Sequence, residues 1–203
     1  MNSRLLINRI STANTALFVC DVQEKFSKTV KYFPQIVNVA KRLIDTARIL
    51  EIPTLATEQY PKGLGRLVPE LGIDRDKMPI FEKTCFSMVL PQVDEQLKKW
   101  SSKSVILCGI ETHACIYQTT IDLLENGYEV TVVADACSSR NMVDRMMAFR
   151  QLERSGALLS TSECVILSLL KDAAHPKFKE VQKVIMEESP DSGLLSHLNA
   201  GKL

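Results

Sequence analysis

The stretch Ser104-Val-Ile-Leu-Cys-Gly-Ile-Glu-Thr-His-Ala-Cys-Ile-Tyr-Gln-Thr-Thr-Ile-Asp-Leu-Leu-Glu125 decides how the chain is read. It opens as an apolar run, Val105 to Cys108, rich in β-branched residues as a buried parallel strand is. Gly109 ends the run. From Ala114 the apolar period becomes helical, with Ile116, Thr120, Leu123 and Leu124 on one face, and Thr112 is placed to cap the helix. The expectation is a strand whose carboxyl end feeds a helix, with Cys115 in the first helical turn. A helix N-terminus carries unpaired N–H groups and about half a positive charge. A thiol in that field ionises more easily, and the thiolate is the nucleophile.

Outward from that stretch the same alternation repeats. Ala16 to Cys20 reads as a strand ending at Asp21; Val22 to Phe33 reads as a loop; Pro34 opens a helix with Ile36, Val37, Ala40, Leu43, Ile44, Ala47 and Leu50 inward. Thr54 to Glu58 reads as a second strand. Residues 60–79 carry Pro61, Gly63, Gly65, Pro69, Gly72 and Pro79 and read as a long loop, which in a compact domain is usually functional. Met78 to Glu82 reads as a short strand leading to Lys83, and Pro91 opens a helix with Val93, Leu97 and Trp100 on one side.

Glu129 to Ala134 reads as a strand ending at Asp135, and Arg140 to Ser155 as a helix with Val143, Met146, Met147 and Leu152 inward. Leu158-Leu159 starts a short strand, Ser160 to Glu163 has the pattern of a capping box, and Phe178 to Met186 reads as a last helix. Residues 188–203 read as a mobile tail whose Leu194, Leu195 and Leu198 suit contact with a neighbouring subunit. The fold class expected is α/β: three layers, doubly wound, a mostly parallel six-stranded sheet with helices on both faces, forming one domain over 1–203.

Composition sets the outer limits. The chain has 203 residues, 45% hydrophobic and 24% charged, with a formal net charge of +1. That balance gives no electrostatic reason for a nucleic-acid or membrane partner, and no run reaches the roughly 20 apolar residues of a membrane helix. The six cysteines are scattered, with Cys20, Cys108 and Cys164 inside apolar runs, which fits reduced intracellular thiols better than a disulfide framework. A cytoplasmic location is expected. The lead-in before Asp21 holds Arg4, Arg9, Ser and Thr without an acid, a faint likeness to a mitochondrial presequence, and reads first as a short approach to the opening strand.

Asp21, Lys83 and Cys115 stand at three strand ends, and in a parallel sheet those ends share one edge. Singly they are ordinary: a turn aspartate, a surface lysine, a small buried thiol. Together their surroundings carry a resemblance. Leu17-Phe-Val-Cys-Asp-Val-Gln-Glu-Lys-Phe26, Glu82-Lys-Thr-Cys-Phe-Ser87 and Cys108-Gly-Ile-Glu-Thr-His-Ala-Cys115 resemble the three signature blocks of the isochorismatase-like cysteine hydrolases. Thr57-Glu-Gln-Tyr-Pro-Lys-Gly-Leu-Gly65, Val133-Ala-Asp-Ala-Cys-Ser-Ser-Arg140 and Asp172-Ala-Ala-His-Pro-Lys-Phe-Lys179 are similar to a eukaryotic branch of that superfamily.

The resemblance implies a hydrolase triad: Cys115 as nucleophile, Asp21 as general base, Lys83 as its cationic partner. It implies an oxyanion hole from the N–H groups of Ala114 and Cys115, and a non-proline cis peptide at Ile110–Glu111. Nicotinamidases of the superfamily carry an Asp-x-His metal motif after the second strand, where this chain reads Glu58, Gln59 and Tyr60. Carboxylate without imidazole is a poor transition-metal set, so neither metal nor other cofactor is expected. Relatives acting on the isochorismate vinyl ether need no nucleophilic cysteine, so Cys115 favours a small amide or related carbonyl substrate.

Gln23, Phe26, Tyr60 and Phe86 are expected to line the pocket, and Cys85 and Cys137 to lie near it. His113-x-Cys115 has no partner cluster for a metal, and Gly63-Leu-Gly65 lacks the context of a phosphate loop. Self-association, as dimer or tetramer, is expected from the apolar width of the 140–155 helix. The alternative function is a catalytically silent scaffold that binds a regulatory partner.

Overall fold

The computed structural model describes residues 10–195. Six parallel strands form one sheet in the order β3-β2-β1-β4-β5-β6: β1 Thr15–Cys20, β2 Thr54–Gln59, β3 Ile80–Lys83, β4 Ser104–Ile110, β5 Glu129–Ser138 and β6 Leu158–Ser160. This is the doubly wound arrangement, whose order reverses between β1 and β4. Side chains alternate across the sheet, and β1 shows the result: Leu17 and Val19 enter one core, Ala16, Phe18 and Cys20 the other. Both faces are buried, so the central strands read as unbroken apolar runs.

One face is covered by α1 (Phe33–Ile49), α6 (Ser162–Leu170) and α7 (Phe178–Ile185). The other is covered by α3 (Pro91–Lys99), α4 (Tyr117–Glu125) and α5 (Met142–Arg154). All seven inward positions expected for this helix are buried, six of them in α1 and Leu50 just past its end. Each fully buried Leu, Ile or Phe contributes about 1.5–3 kcal/mol relative to exposure, so α1 alone anchors its layer firmly. The long loop holds α2 (Pro61–Leu64) and a 3-10 turn, Pro69–Leu71. Among the described residues, no helix is long and apolar enough to cross a membrane.

Four local expectations are corrected. The α5 face is rotated: Val143 is 68% and Met147 48% exposed, whereas Arg145, Ala148, Phe149 and Leu152 point inward. Arg145 is fully buried, donating from Nη1 to Ser192 O (2.7 Å) and from Nη2 to Ala134 O (3.0 Å), with its guanidinium over the Phe149 ring. The strand expected to stop at Ala134 runs on to Ser138, because an irregularity in the β4–β5 register lets Cys137 pair with Gly109. The capping box at Ser160–Glu163 does not form. Asp135 caps α6 instead, accepting from Ser162 N (2.8 Å) and Ser162 Oγ (2.6 Å). Nor does Thr112 cap a helix: a π-helical turn, Thr112–Ile116, precedes α4, and the buried Thr112 hydroxyl has no hydrogen-bond partner among the described residues.

Of the segment from residue 188, the described part is docked. Arg42 reaches Ser189, Arg145 holds Ser192, and Leu194 packs on the α3–α5 core. Leu198 and the 1–9 lead-in lie outside the described residues.

Candidate active site

The site lies where the strand order reverses. Gly109 on β4 adopts φ +121°, and a Cβ there would sit 2.1 Å from the Cys20 carbonyl oxygen. Only glycine lets the ends of β1 and β4 approach this closely. Asp21, directly after β1, is itself in the left-handed region at φ 50°. Left-handed backbone at a non-glycine residue costs on the order of 1 kcal/mol and is concentrated at functional positions. The turn aims the Asp21 carboxylate across the crevice.

Three strand ends then meet. Lys83 Nζ, from the end of β3, donates to Asp21 Oδ2 at 2.6 Å and lies 3.6 Å from Cys115 Sγ. Both charged side chains are fully buried, and Cys115 is 5% exposed. Thr57 Oγ1 donates to Asp21 Oδ1 at 2.7 Å, so the acid is held through both oxygens. The ammonium also donates to Gln59 Oε1 (2.7 Å), Phe86 O (2.9 Å) and Cys85 O (3.2 Å). A buried charge without such partners would cost several kcal/mol.

The cysteine turn is tied down on both sides. The Ile110–Glu111 peptide is cis. The buried Glu111 carboxylate accepts from Arg140 N (3.0 Å), Nε (3.1 Å) and Nη2 (2.6 Å). His113 Nδ1 contacts Ser139 Oγ at 3.0 Å. On the other side Thr119 Oγ1 donates to Cys115 O (2.6 Å) and accepts from Met88 N (2.9 Å), linking the Cys115 turn to the segment after Lys83. The Ala114 N–H, expected to face an oxyanion, donates to Glu111 O at 3.1 Å.

Burial pulls the Lys83 ammonium toward neutrality, but the neighbouring Cys20 sulfur, the Asp21 carboxylate and the Cys115 sulfur outweigh it and raise its pKa. Cys20, beside Asp21, is pushed well above the usual thiol range by burial, by its contact with Cys115 and by the Asp21 charge. Glu111 is held below the usual carboxylate range: burial opposes ionisation, and the Arg140 contacts override it.

The other expected positions divide. Gln23 is buried and faces backbone: Nε2 donates to Gln59 O (3.0 Å) and Gly65 O (2.6 Å), and Oε1 accepts from Gln59 N (2.7 Å). Phe26 packs half-buried on the α1 side of the core. Tyr60 and Phe86 are exposed, and their main chains meet Lys83 at the rim, through Tyr60 N to Lys83 O (2.8 Å) and Phe86 O. Cys85 is exposed beside the ammonium, Cys137 is buried under β4, and Cys164 is exposed rather than packed. Cys20, which the sequence places inside an apolar run, lies at the site: its Sγ donates to Asp21 Oδ2 at 3.5 Å. Its adjacency to Asp21 was the available signal. Thr57 and Arg140 gave none of their own, because their partners Asp21 and Glu111 are remote in sequence, whereas Thr119 bonds Cys115 one helical turn back.

The Glu58 position, where nicotinamidases carry their metal motif, does not offer a metal set here: Glu58 accepts from Arg66 (2.7 Å), Arg75 and the Leu67 N–H (2.9 Å), and no His joins it in a ligand cluster among the described residues. Among the described residues the one thiol–carboxylate cluster is Cys20, Asp21 and Cys115, and the Lys83 ammonium already provides its cation.

Sheet order, switch point and converging strand ends define a doubly wound α/β fold with its site at the carboxyl ends of the strands, and sequence comparison names the family. Residues 15–164 match the isochorismatase domain, and the chain belongs to the isochorismatase family. It is 55% identical over 197 residues to isochorismatase domain-containing protein 2 of Xenopus laevis, covering 97% of this chain and 95% of that one. A solved structure described as MAR1 ribonuclease from Caenorhabditis elegans is 56% identical, with a TM-score of 0.89 over 92% of this chain and 97% of that one. The YcaC product of Escherichia coli, described as an octameric hydrolase of unknown specificity, shares the fold at 24% identity, with a TM-score of 0.79 over 95% of this chain and 97% of that one.

Proposed function

We propose that the chain is a metal-independent cysteine hydrolase that cleaves a small amide or related carbonyl compound through an acyl-enzyme on Cys115. The observation that carries this reading is the meeting of Asp21, Lys83 and Cys115, with Lys83 Nζ 2.6 Å from the acid and 3.6 Å from the sulfur. Asp21 takes the thiol proton, and Lys83 stabilises the thiolate. The sulfur attacks the carbonyl carbon. The Cys115 N–H receives the oxyanion together with that of Ala114, which exchanges its Glu111 contact; such donors are each worth a few kcal/mol. Asp21 returns the proton to the leaving amine, and water hydrolyses the thioester. Tyr60 and Phe86 flank the entrance as apolar surfaces for the substrate. The working form is a homo-oligomer, for which the exposed Val143 and Met147 of α5 supply an apolar contact. Its compartment is the cytoplasm.

The Caenorhabditis elegans description favours a second reading, RNA cleavage. Two features weigh against it: a net charge of +1 and charged groups fully buried from a polyphosphate chain. A silent binding scaffold is the third, and the intact triad argues against it.

A panel of small amides and esters, incubated with protein and measured by intact mass, tests the proposal. A transient acyl adduct on Cys115, absent in Cys115→Ala together with turnover, is expected. Normal turnover in Cys115→Ala rejects the mechanism. RNA cleavage that survives Cys115→Ala and is lost in other variants favours the second reading.

A further inference from the structure

A second sulfur in the centre has no part in the mechanism above. Cys20 Sγ, an Asp21 carboxylate oxygen and Cys115 Sγ all lie within 4.8 Å of one another. A disulfide needs its sulfurs about 2.05 Å apart, so closure asks for a relative shift of less than about 3 Å, within reach of χ1 rotation. The two thiols differ in access: Cys115 retains 5% exposure and Cys20 none. They differ in charge environment too. Lys83 stands 3.6 Å from Cys115 Sγ, whereas Cys20 donates its S–H to the Asp21 carboxylate. An oxidant therefore meets Cys115 first, and the sulfur next to it is a protonated thiol sealed from solvent.

We infer that Cys20 and Cys115 form a peroxide-sensitive dithiol, in which Cys20 resolves oxidised Cys115 as an intramolecular disulfide that reversibly silences the site. The inference rests on the reading of Cys115 as the reactive thiol. The Cys115 thiolate attacks one oxygen of hydrogen peroxide, forming an S–O bond as the O–O bond breaks and hydroxide leaves, which takes up the thiol proton as water. The Cys20 sulfur then attacks the sulfenic sulfur; an S–S bond forms, the S–OH bond breaks, and a second water leaves with the Cys20 proton. Two electrons pass from the dithiol to peroxide. A small thiol or dithiol reductant reverses the step by exchange. Capture at this stage spares Cys115 the sulfinic state, which most proteins cannot reverse. The Lys83–Asp21 pair does not depend on the Cys115 sulfur, so the fold survives the switch.

The test uses the full chain with Cys85→Ser and Cys164→Ser, which remove the exposed thiols. After hydrogen peroxide, intact mass is expected to fall by two hydrogens. Fragmentation is expected to place the link between Cys20 and Cys115, and dithiothreitol to restore alkylation of Cys115. Adding Cys20→Ala should replace the disulfide with a dimedone-trapped sulfenic acid and then a gain of two oxygens. Equal dimedone trapping with and without Cys20, or a link between other cysteines, overturns the inference. The arm that retains Cys20 decides even if Cys20→Ala fails to fold. Iodoacetamide labelling of Cys115 without any disulfide overturns this inference alone; a Cys115 inert to both reagents overturns the reactive-thiol reading as well.

Discussion

Lys83 Nζ reaches Asp21 Oδ2 across 2.6 Å in a space where neither side chain touches solvent, though 62 positions separate them in the chain. The ammonium is fixed there by the end of β3 and two carbonyls of the following loop. Its partner sits at the end of β1. The pair is a structural element as much as a chemical one.

Removing one member strands the other. Lys83→Met leaves the Asp21 carboxylate buried with Thr57 as its remaining side-chain donor besides the Cys20 thiol. A loss of about 3–5 kcal/mol is expected, read as a lower urea midpoint with an unchanged slope. An unchanged midpoint would mean that water already screens the pair.

The crevice itself rests on Gly109. Gly109→Ala places a methyl 2.1 Å from the Cys20 carbonyl at φ +121°, and backbone rather than a movable side chain receives it. A cost of about 3 kcal/mol or more is expected from strain and overlap together, with Cys115 reactivity lost in any folded remainder. Wild-type stability would show that β1 and β4 do not approach as described.

Glu111 sets an acid branch. Its folded pKa lies below its ordinary value, because Arg140 overrides burial. The stability it contributes is therefore full above the unfolded value near 4.5 and is lost as pH falls through the lower folded value. Arg140→Gln should destabilise by about 1–2 kcal/mol at pH 7, a figure discounted for the exposure of Arg140. It should also flatten the loss seen in thermal melts as pH falls below about 4.5. A variant as acid-sensitive as wild type contradicts this assignment.

Much of the frame was legible because burial on both sheet faces writes continuous apolar strands, and α1 writes an unbroken helical stripe. Asp21 was legible as a candidate for the same reason, since it directly follows an apolar run, whereas Lys83 and Cys115 stood out through the sequence blocks around them. The α5 face was not. Its inward stripe includes Arg145, whose Nη1 and Nη2 donate to the Ser192 and Ala134 carbonyls while its buried Nε has no partner among the described residues, and Val143 and Met147 face out. Apolar periodicity assigns such a helix to the wrong phase. The α6 cap was hidden likewise, since Asp135 reaches it from a neighbouring strand.

That outward pair gives a prediction about assembly. Val143 and Met147 are one turn apart on an exposed face, where apolar side chains favour association. Sedimentation should show a species heavier than 22.8 kDa, shifted toward it by Val143→Glu with Met147→Glu. A single 22.8 kDa species in the parent chain rejects this.

The centre as a whole is tested by a competition between access and activation. Cys85 and Cys164 are exposed and Cys115 is 5% exposed, so access alone ranks Cys115 last among them. A low dose of iodoacetamide at neutral pH, resolved by peptide mass, should nevertheless label Cys115 first, because the Lys83 ammonium stands 3.6 Å from the attacking sulfur. Labelling of Cys85 and Cys164 with Cys115 left untouched would contradict the account.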